Sequence, residues 1–274
     1  MDRAEVTVRV WNRILQIRDG KGCACCGDWA PAEEVALNIY APLARRDLGP
    51  VTVGQIGQSL DGRVATVSGD ARDISGPDGL KHLHRLRAIS DAVVIGVRTA
   101  LHDNPRLTVR LCSGPNPARV VIDPRGRLPN DAPVFRDDGA RRIVVQQSDT
   151  ERPAGVEVIR LPACTDGEMS AGQILRALHR LGLQTILVEG GAITVSRFFE
   201  AGLLNRLHVA VAPLLIGGGP PGFHTRNPVA QLSDAARPDT RVFNIGSDIV
   251  FDCGLLYAKQ ILAAPWHSVA VRAK

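Results

Sequence analysis

Residues 185–204 read TILVEGGAITVSRFFEAGLL. A short apolar run of the kind buried on both faces of a sheet passes through Glu189, Gly190 and Gly191, and apolar residues then resume at helical spacing. Two glycines between a strand and a helix let the backbone approach a ligand closely and aim the first free amides of the helix at an anion. An acid just before such a turn would repel a phosphate, so Glu189 is expected to face a different, hydrogen-bond-donating part of a ligand. The same residues also suit a tight connection with Glu189 at the surface. No G-x-G-x-x-G follows the first strand, since GQIGQSLDG (54–62) has the wrong spacing, so any dinucleotide site is of another type.

Outward from this segment, strands and helices alternate from Val51 onward, which predicts a layered α/β fold. VTVGQIGQ (51–58), DAVVIGV (91–97), ARVVIDP (118–124), RRIVVQQ (141–147) and RLHVAVAPLLIGGG (206–219) read as strands, and TRVFNIGSDIVFDCGLLY (240–257) as two β segments around a turn. PDGLKHLHRLRAIS (77–90) reads as a helix with Leu80, Leu83, Leu86 and Ile89 on one face, and QILRALHRLG (173–182) as a helix closed by Gly182. Residues 1–48 differ in character and end in the basic stretch ARRDLGP, which reads as a linker. The expected division is an N-terminal extension (1–48), one main domain (49–258) and a C-terminal tail (259–274).

A second candidate site lies in VVIGVRTALHDNPRLTVR (93–110). There the strand ends at Gly96, Thr99 and Asp103 could hold a ribose or an amide, and Arg110 could grip a phosphate, unless these are only a capped turn and solvated arginines. SLDGRVATVSGD (59–70) reads either as an active-site loop or as a hairpin turning at Asp61-Gly62. Asp61 and Glu189 stand as the candidate catalytic acids. Arg87 by itself reads as a solvated helix residue, and His82 and His84 flank Leu83, so they do not form a paired metal site.

The formal charge of +5 favours anionic small molecules, while dispersed arginines and 4% aromatics lack the pattern of a nucleic-acid binder. No apolar run is long enough to span a bilayer, and MDRAEVTVRVWNRILQ has no uncharged core of a secretory signal, so the cytoplasm is expected. Six cysteines include the cluster Cys23-Ala24-Cys25-Cys26, which lacks a second C-x-x-C or a nearby His, and no metal is assigned to it.

QSLDGR (58–63), HRLRAISDAVVIGVRTALHDNPRLTVR (84–110), RVVIDP (119–124) and ILVEGGAITVSRFFEAGLLNRLHVAVAPLLIGGG (186–219) occur in an order and spacing that resembles the reductase domain of bacterial riboflavin biosynthesis. The resemblance covers roughly residues 50–255. That domain is similar in fold to dihydrofolate reductase: a three-layer sandwich with a mostly parallel central sheet, helices on both faces and C-terminal antiparallel strands. The resemblance implies NADPH-dependent reduction of the ribosylamino side chain of a pyrimidinedione 5′-phosphate to a ribitylamino group. It implies that Gln58, Gly96, Thr99, Asp103, Gly190, Gly191 and Ala192 contact the cofactor. Ser75, Arg87, Leu107, Arg110 and Glu189 fall at positions that hold the substrate, and the C-terminal strands at a homodimer interface. No H-x-E followed by P-C-x-x-C precedes Val51, so a stand-alone reductase is expected. Gln55 stands where many relatives carry Lys, Ala71 where a Ser often occurs, Asp73 in place of a Trp, and Asn104 in place of an acid. These departures leave open a reductase of the same fold for another imine or carbonyl, or a non-catalytic NADPH or flavin-precursor binding protein.

Overall fold

The computed structural model describes residues 3–163 and 169–255; Cys164, the expected boundary at 258 and the tail 259–274 lie outside them. Two helices open the chain. Helix α1 (Val8–Arg18) is capped by Thr7, whose Oγ1 accepts from Val10 N at 3.2 Å, and α2 (Pro31–Ala44) starts with proline in its first turn. Then follow β1 (Val51–Ser59), α3 (Pro77–Ile89), β2 (Ala92–Gly96), α4 (Val97–Asp103), β3 (Ala118–Ile122), β4 (Arg142–Gln146), β5 (Val156–Arg160), α5 (Ala171–Arg180), β6 (Thr185–Glu189), α6 (Ala192–Glu200), β7 (Arg206–Ala212), β8 (Asp239–Asn244) and β9 (Ile249–Gly254).

Among the described residues these strands form one nine-stranded sheet in the order β5-β4-β3-β2-β6-β1-β7-β9-β8. It is parallel from β5 to β7 and antiparallel across β7, β9 and β8. The central strands are buried on both faces, which is why they read as continuous apolar runs. Strand β5, VEVIR, is not legible that way, because it is a half-exposed edge carrying Glu157 and Arg160. Helix α5 ends as expected. Gly182 at φ +80° donates to His179 O at 3.0 Å and Leu183 to Leu178 O at 3.2 Å, the paired bonds of a left-handed helix end.

One face of the sheet is covered by α3, α4 and both N-terminal helices, the other by α5 and α6. Residues 1–48 therefore do not stand apart. Val10, Trp11, Ile14, Ile17, Leu37, Ile39, Tyr40 and Leu43 share one core with Val51, Val53, Leu187 and Val250. Arg3 also pairs in parallel with Asn244 on β8, and Arg241 on β8 donates to Asn38 O of α2 at 3.3 Å. Burying a single Leu or Ile is worth roughly 1.5–3 kcal/mol, so a face this large needs its cover.

Under that cover runs a polar row. Glu189, Gln55, His208, Asp252 and Arg241 stand in register across β6, β1, β7, β9 and β8. Buried polar groups need partners, and the helices supply most of them. His82 Nε2 on α3 lies 3.2 Å from His208 Nδ1, and Tyr40 Oη of α2 lies 2.8 Å from His82 Nδ1. Asp252 is gripped by Arg206, and Arg241 reaches it at 3.0 Å. This need turns α3: its buried line is Gly79, His82, Leu86 and Ile89, with Leu80 and Leu83 only half-buried.

The buried histidines set a pH dependence. Burial first, then the charges of His208 and Arg85, depress His82 well below its usual value, and burial with Arg87 and Arg110 lowers His84 to about 4. With folded values below the unfolded value of about 6.5, the unfolded chain binds more protons on acidification, so stability is present above that pH and is lost as pH falls. Asp252 acts in the same direction: burial pushes it up, but His208 and Arg206 hold it well below the ordinary carboxylate range. The expected result is a urea midpoint flat from about pH 8 to 7 that falls steadily below about pH 6.5, with roughly two extra protons bound on unfolding by pH 4. A midpoint unchanged between pH 7 and 5 would contradict it.

Candidate active site

Strands β1 and β2 hand the chain to α3 and α4 on one face of the sheet, whereas β6, lying between them, hands it to α6 on the other. Such a reversal opens a crevice at the carboxyl ends of the strands, where ligands of α/β sheets bind. Gly190 and Gly191 line this crevice at φ +59° and +57°, a left-handed backbone that suits glycine. A Cβ on Gly191 would lie 2.6 Å from Thr99 Oγ1, one on Gly190 3.1 Å from Thr99 Cγ2, and one on Gly96 2.6 Å from Thr194 Oγ1. The two strand ends and two hydroxyls thus approach closely. Ala192 begins α6, and no side chain caps the helix, which leaves its first amides directed at the crevice.

Beside this turn, Glu189 and Arg87 form a buried two-pronged ion pair: Arg87 Nε donates to Oε1 and Nη2 to Oε2, each at 2.7 Å. Their side chains are 6% and 8% exposed. The surface reading of Glu189 and the solvated reading of Arg87 are both corrected, because both residues are buried where α3 meets the end of β6. Arg87 Nη1 also donates to Thr108 O at 3.2 Å, anchoring the strap after α4. Asn104 closes α4 at φ +44°, a conformation Asn tolerates, and buried Leu107 is held at φ +55°. His84 Nδ1 accepts from Arg110 N at 2.8 Å, and Arg110 Nη1 donates to Thr108 Oγ1 at 2.5 Å. The Arg106 and Arg110 side chains stay exposed, Arg110 within reach of the charges of Arg87 and Arg106, and Glu189 already balances Arg87, so a phosphate would meet two exposed guanidiniums.

The remaining expected residues are less concentrated. Ser75 packs over Gly57 of β1, where a Cβ would lie 2.7 Å from its Oγ, and Gln58 abuts Gly222, where a Cβ would lie 2.3 Å from its Oε1. They flank the end of β1. Asp103 is exposed and pairs with His102 at 2.8 Å rather than with the glycine turn. Asp61 is held by its own loop and the 216–217 turn. Its Oδ1 accepts from Ser59 Oγ at 2.6 Å and Ile216 N at 3.1 Å, and Oδ2 from Gly217 N at 2.7 Å. These bonds, from Ser59 first, hold the carboxyl down at about 2, and through them Asp61 pins the 216–217 loop. Asp123 of the RVVIDP motif is also structural, buried and bonded to Arg127 N, Leu128 N and Arg152.

Two site features escaped sequence reasoning. His84 was excluded as a metal ligand but holds the strap as a neutral acceptor, and nothing in its spacing signals that. Gln55, noted only as a departure, is 5% exposed and stands in register beside Glu189. Its Nε2 donates to Ile56 O at 3.3 Å, while Oε1 is buried with no partner among the described residues. A lone buried acceptor costs roughly 1–3 kcal/mol unless a ligand supplies the donor. Gln55→Leu is therefore expected to keep or raise stability by about 1 kcal/mol while raising KM for a substrate that donates to Oε1 about tenfold. Unchanged KM in steady-state kinetics would show that Oε1 meets no substrate group.

A mostly parallel sheet finished by antiparallel strands, with helices on both faces and a glycine turn at its reversal point, defines a three-layer α/β sandwich. The family model described as the RibD C-terminal domain matches residues 50–251, and the chain belongs to that family. The 2,5-diamino-6-ribosylamino-4(3H)-pyrimidinone 5′-phosphate reductase of Methanothermobacter thermautotrophicus is 29% identical over 212 residues, 74% of this chain and 97% of that protein. The riboflavin biosynthesis protein RibD of Mycobacterium tuberculosis is 34% identical over 211 residues, 74% of this chain and 52% of that protein. The crystal structure of a Thermotoga maritima diaminohydroxyphosphoribosylaminopyrimidine deaminase/5-amino-6-(5-phosphoribosylamino)uracil reductase superposes with a TM-score of 0.65 at 29% identity, covering 81% of this chain and 62% of that one. The chain thus spans nearly all of the archaeal protein and about half of the mycobacterial RibD.

Proposed function

We propose that the chain is an NADPH-dependent reductase that converts the ribosylamino side chain of a pyrimidine 5′-phosphate to a ribitylamino group. The observation that carries this is the meeting of Thr99 with Gly190-Gly191 beside the buried Arg87–Glu189 pair, at the reversal point of the sheet. A cradle that a Cβ would fill suits a cofactor pyrophosphate, so Gly96, Thr99, Gly190, Gly191 and the amide of Ala192 would hold the cofactor, which when bound supplies the hydride. Arg106 and Arg110 would take the substrate phosphate, the wall formed by Glu189 and Arg87 would face the pyrimidine, and Gln55 Oε1 would accept one of its N–H groups. Binding energy far from the reacting carbon then fixes the geometry, and such positioning can supply roughly 7–11 kcal/mol of a barrier.

No helix among the described residues is long and apolar enough to cross a membrane, and we place the enzyme in the cytoplasm. It acts as a homodimer in this reading. Val209, Phe251 and Val242 stand in register on the face of β7, β9 and β8 away from the N-terminal helices, and Phe251 and Val242 are each 38% exposed. A second copy would cover them.

The reading is tested by following nicotinamide oxidation with two substrates, the 5-amino-6-ribosylaminouracil phosphate and its 2,5-diamino counterpart, with NADH as the control. The archaeal relative's name argues for including the second. Steady consumption of NADPH with either one is expected. NADPH binding with turnover of neither would overturn the proposal in favour of another imine or carbonyl substrate, or of a binding protein.

A further inference from the structure

The loop between α1 and α2 lies before the stretch that matches the family, and the reductase reading gives it no task. It brings three sulfurs together: the Sγ atoms of Cys23, Cys25 and Cys26 all lie within 4.8 Å of one another. Cys25 Sγ and Cys26 Sγ are 4.0 Å apart, about twice a disulfide bond length, so the thiols are free. The backbone beneath them is pinned. Arg13 Nη1 donates to Cys23 O at 3.2 Å and Trp29 Nε1 to Ala24 O at 3.3 Å, while Arg9 and Arg13 lie over the Trp29 ring at 4.8 and 5.8 Å. Gly27 at φ +147° is required because a Cβ there would lie 2.6 Å from that ring. Cys25 and Cys26 are exposed and Cys23 half-buried, so the sulfurs are open to solvent.

We propose that Cys23, Cys25 and Cys26 form a three-thiolate site for a thiophilic d10 cation, with Zn(II) as its ligand and one coordination position left open. Sulfurs around a zinc at about 2.3 Å sit about 3.8 Å apart, so the observed spacing needs a contraction of under about 1 Å. The absence of a second C-x-x-C or a His, which led the sequence reading to assign no metal, excludes a closed four-ligand structural site but not a trio. Among the described residues no His or carboxylate joins the cluster, and an all-sulfur set selects soft ions over Mg(II), Ca(II) or Mn(II). An open position makes the site one of exchangeable binding rather than of folding. Metal binding would release the thiol protons.

The test is a Zn(II) titration of the full chain, reduced and stripped with a chelator, against a chromophoric competitor, with Cd(II) as a probe of thiolate-to-metal charge transfer. One Zn(II) per chain is expected, with proton release and a Cd(II)–thiolate band. Cys25→Ser and Cys26→Ser, both at exposed positions, should each weaken binding by more than about tenfold, while Cys112→Ser and Cys253→Ser leave it unchanged. Circular dichroism and NADPH oxidation should be the same in all four variants, which separates this site from the reductase. Binding that survives the triple Cys23/Cys25/Cys26→Ser variant, or no charge-transfer band with Cd(II), would overturn the proposal.

Discussion

Glu189→Leu is expected to destabilise the protein by about 3–5 kcal/mol and to abolish turnover. The loss follows from burial: the Arg87 guanidinium, 8% exposed, would keep its charge with no carboxylate to meet it, and stranding a buried charge costs that much. It would also loosen Thr108, which Arg87 holds at 3.2 Å, and with it the strap carrying Arg106 and Arg110. Activity lost through instability must be separated from activity lost through chemistry. The double variant Arg87→Met with Glu189→Leu does this, because apolar residues of similar volume often recover the stability of a buried ion pair or exceed it. Chemical denaturation should show the double variant within about 1 kcal/mol of wild type, yet turnover should stay absent. A double variant that regained turnover would reduce the pair to a structural strut.

Gly191→Ala is expected to lower NADPH affinity by at least about tenfold, 1.4 kcal/mol, at modest cost to the fold. Two effects combine. At φ +57° any side chain is strained by roughly 1–2 kcal/mol, and here the new Cβ would stand 2.6 Å from Thr99 Oγ1, pushing apart the two walls of the cradle. Gly182→Ala is the matched control. It carries the same kind of strain at φ +80° but has nothing within 4 Å of the added carbon and lies at the far end of α5. Both variants should lose about 1 kcal/mol of stability, and only Gly191→Ala should lose cofactor, as read by nicotinamide fluorescence titration. Equal NADPH affinity in the two would remove the cofactor from this turn.

Much of the fold was legible because parallel strands buried on both faces leave an apolar run that few other elements produce. DAVVIGV and TILVE are of this kind. The glycine turn was legible as the break between strand and helix, since Gly190-Gly191 interrupts the apolar run, but its use stayed open between a ligand turn and a tight connection. What escaped was everything settled by register. His208 in RLHVAVA and Asp252 in IVFDCG look like isolated polar residues on their strands, and only the alignment of β6, β1, β7, β9 and β8 shows them as one buried row. Arg87 was misjudged with them, because the leucine line of α3 suggested a buried face that the pairing of His82 with His208 shifts round the helix. Residues 1–48 looked separable for want of a strand pattern, although their apolar side chains are needed to roof that row. The thiol cluster shows the converse limit: ligand spacing along a chain tests for a complete tetrahedral set, whereas three sulfurs can converge without one.

The central claim is that the crevice brings a nicotinamide over the sugar carbon of a phosphorylated pyrimidine. It is tested most directly by running the reaction with NADPH deuterated in turn on each face of nicotinamide C4, and weighing the product by mass spectrometry. One of the two labelled cofactors should deliver a single deuterium to C1 of the ribityl chain and the other none. Product lacking deuterium from both, or no ribityl product while NADPH still binds, would contradict the account.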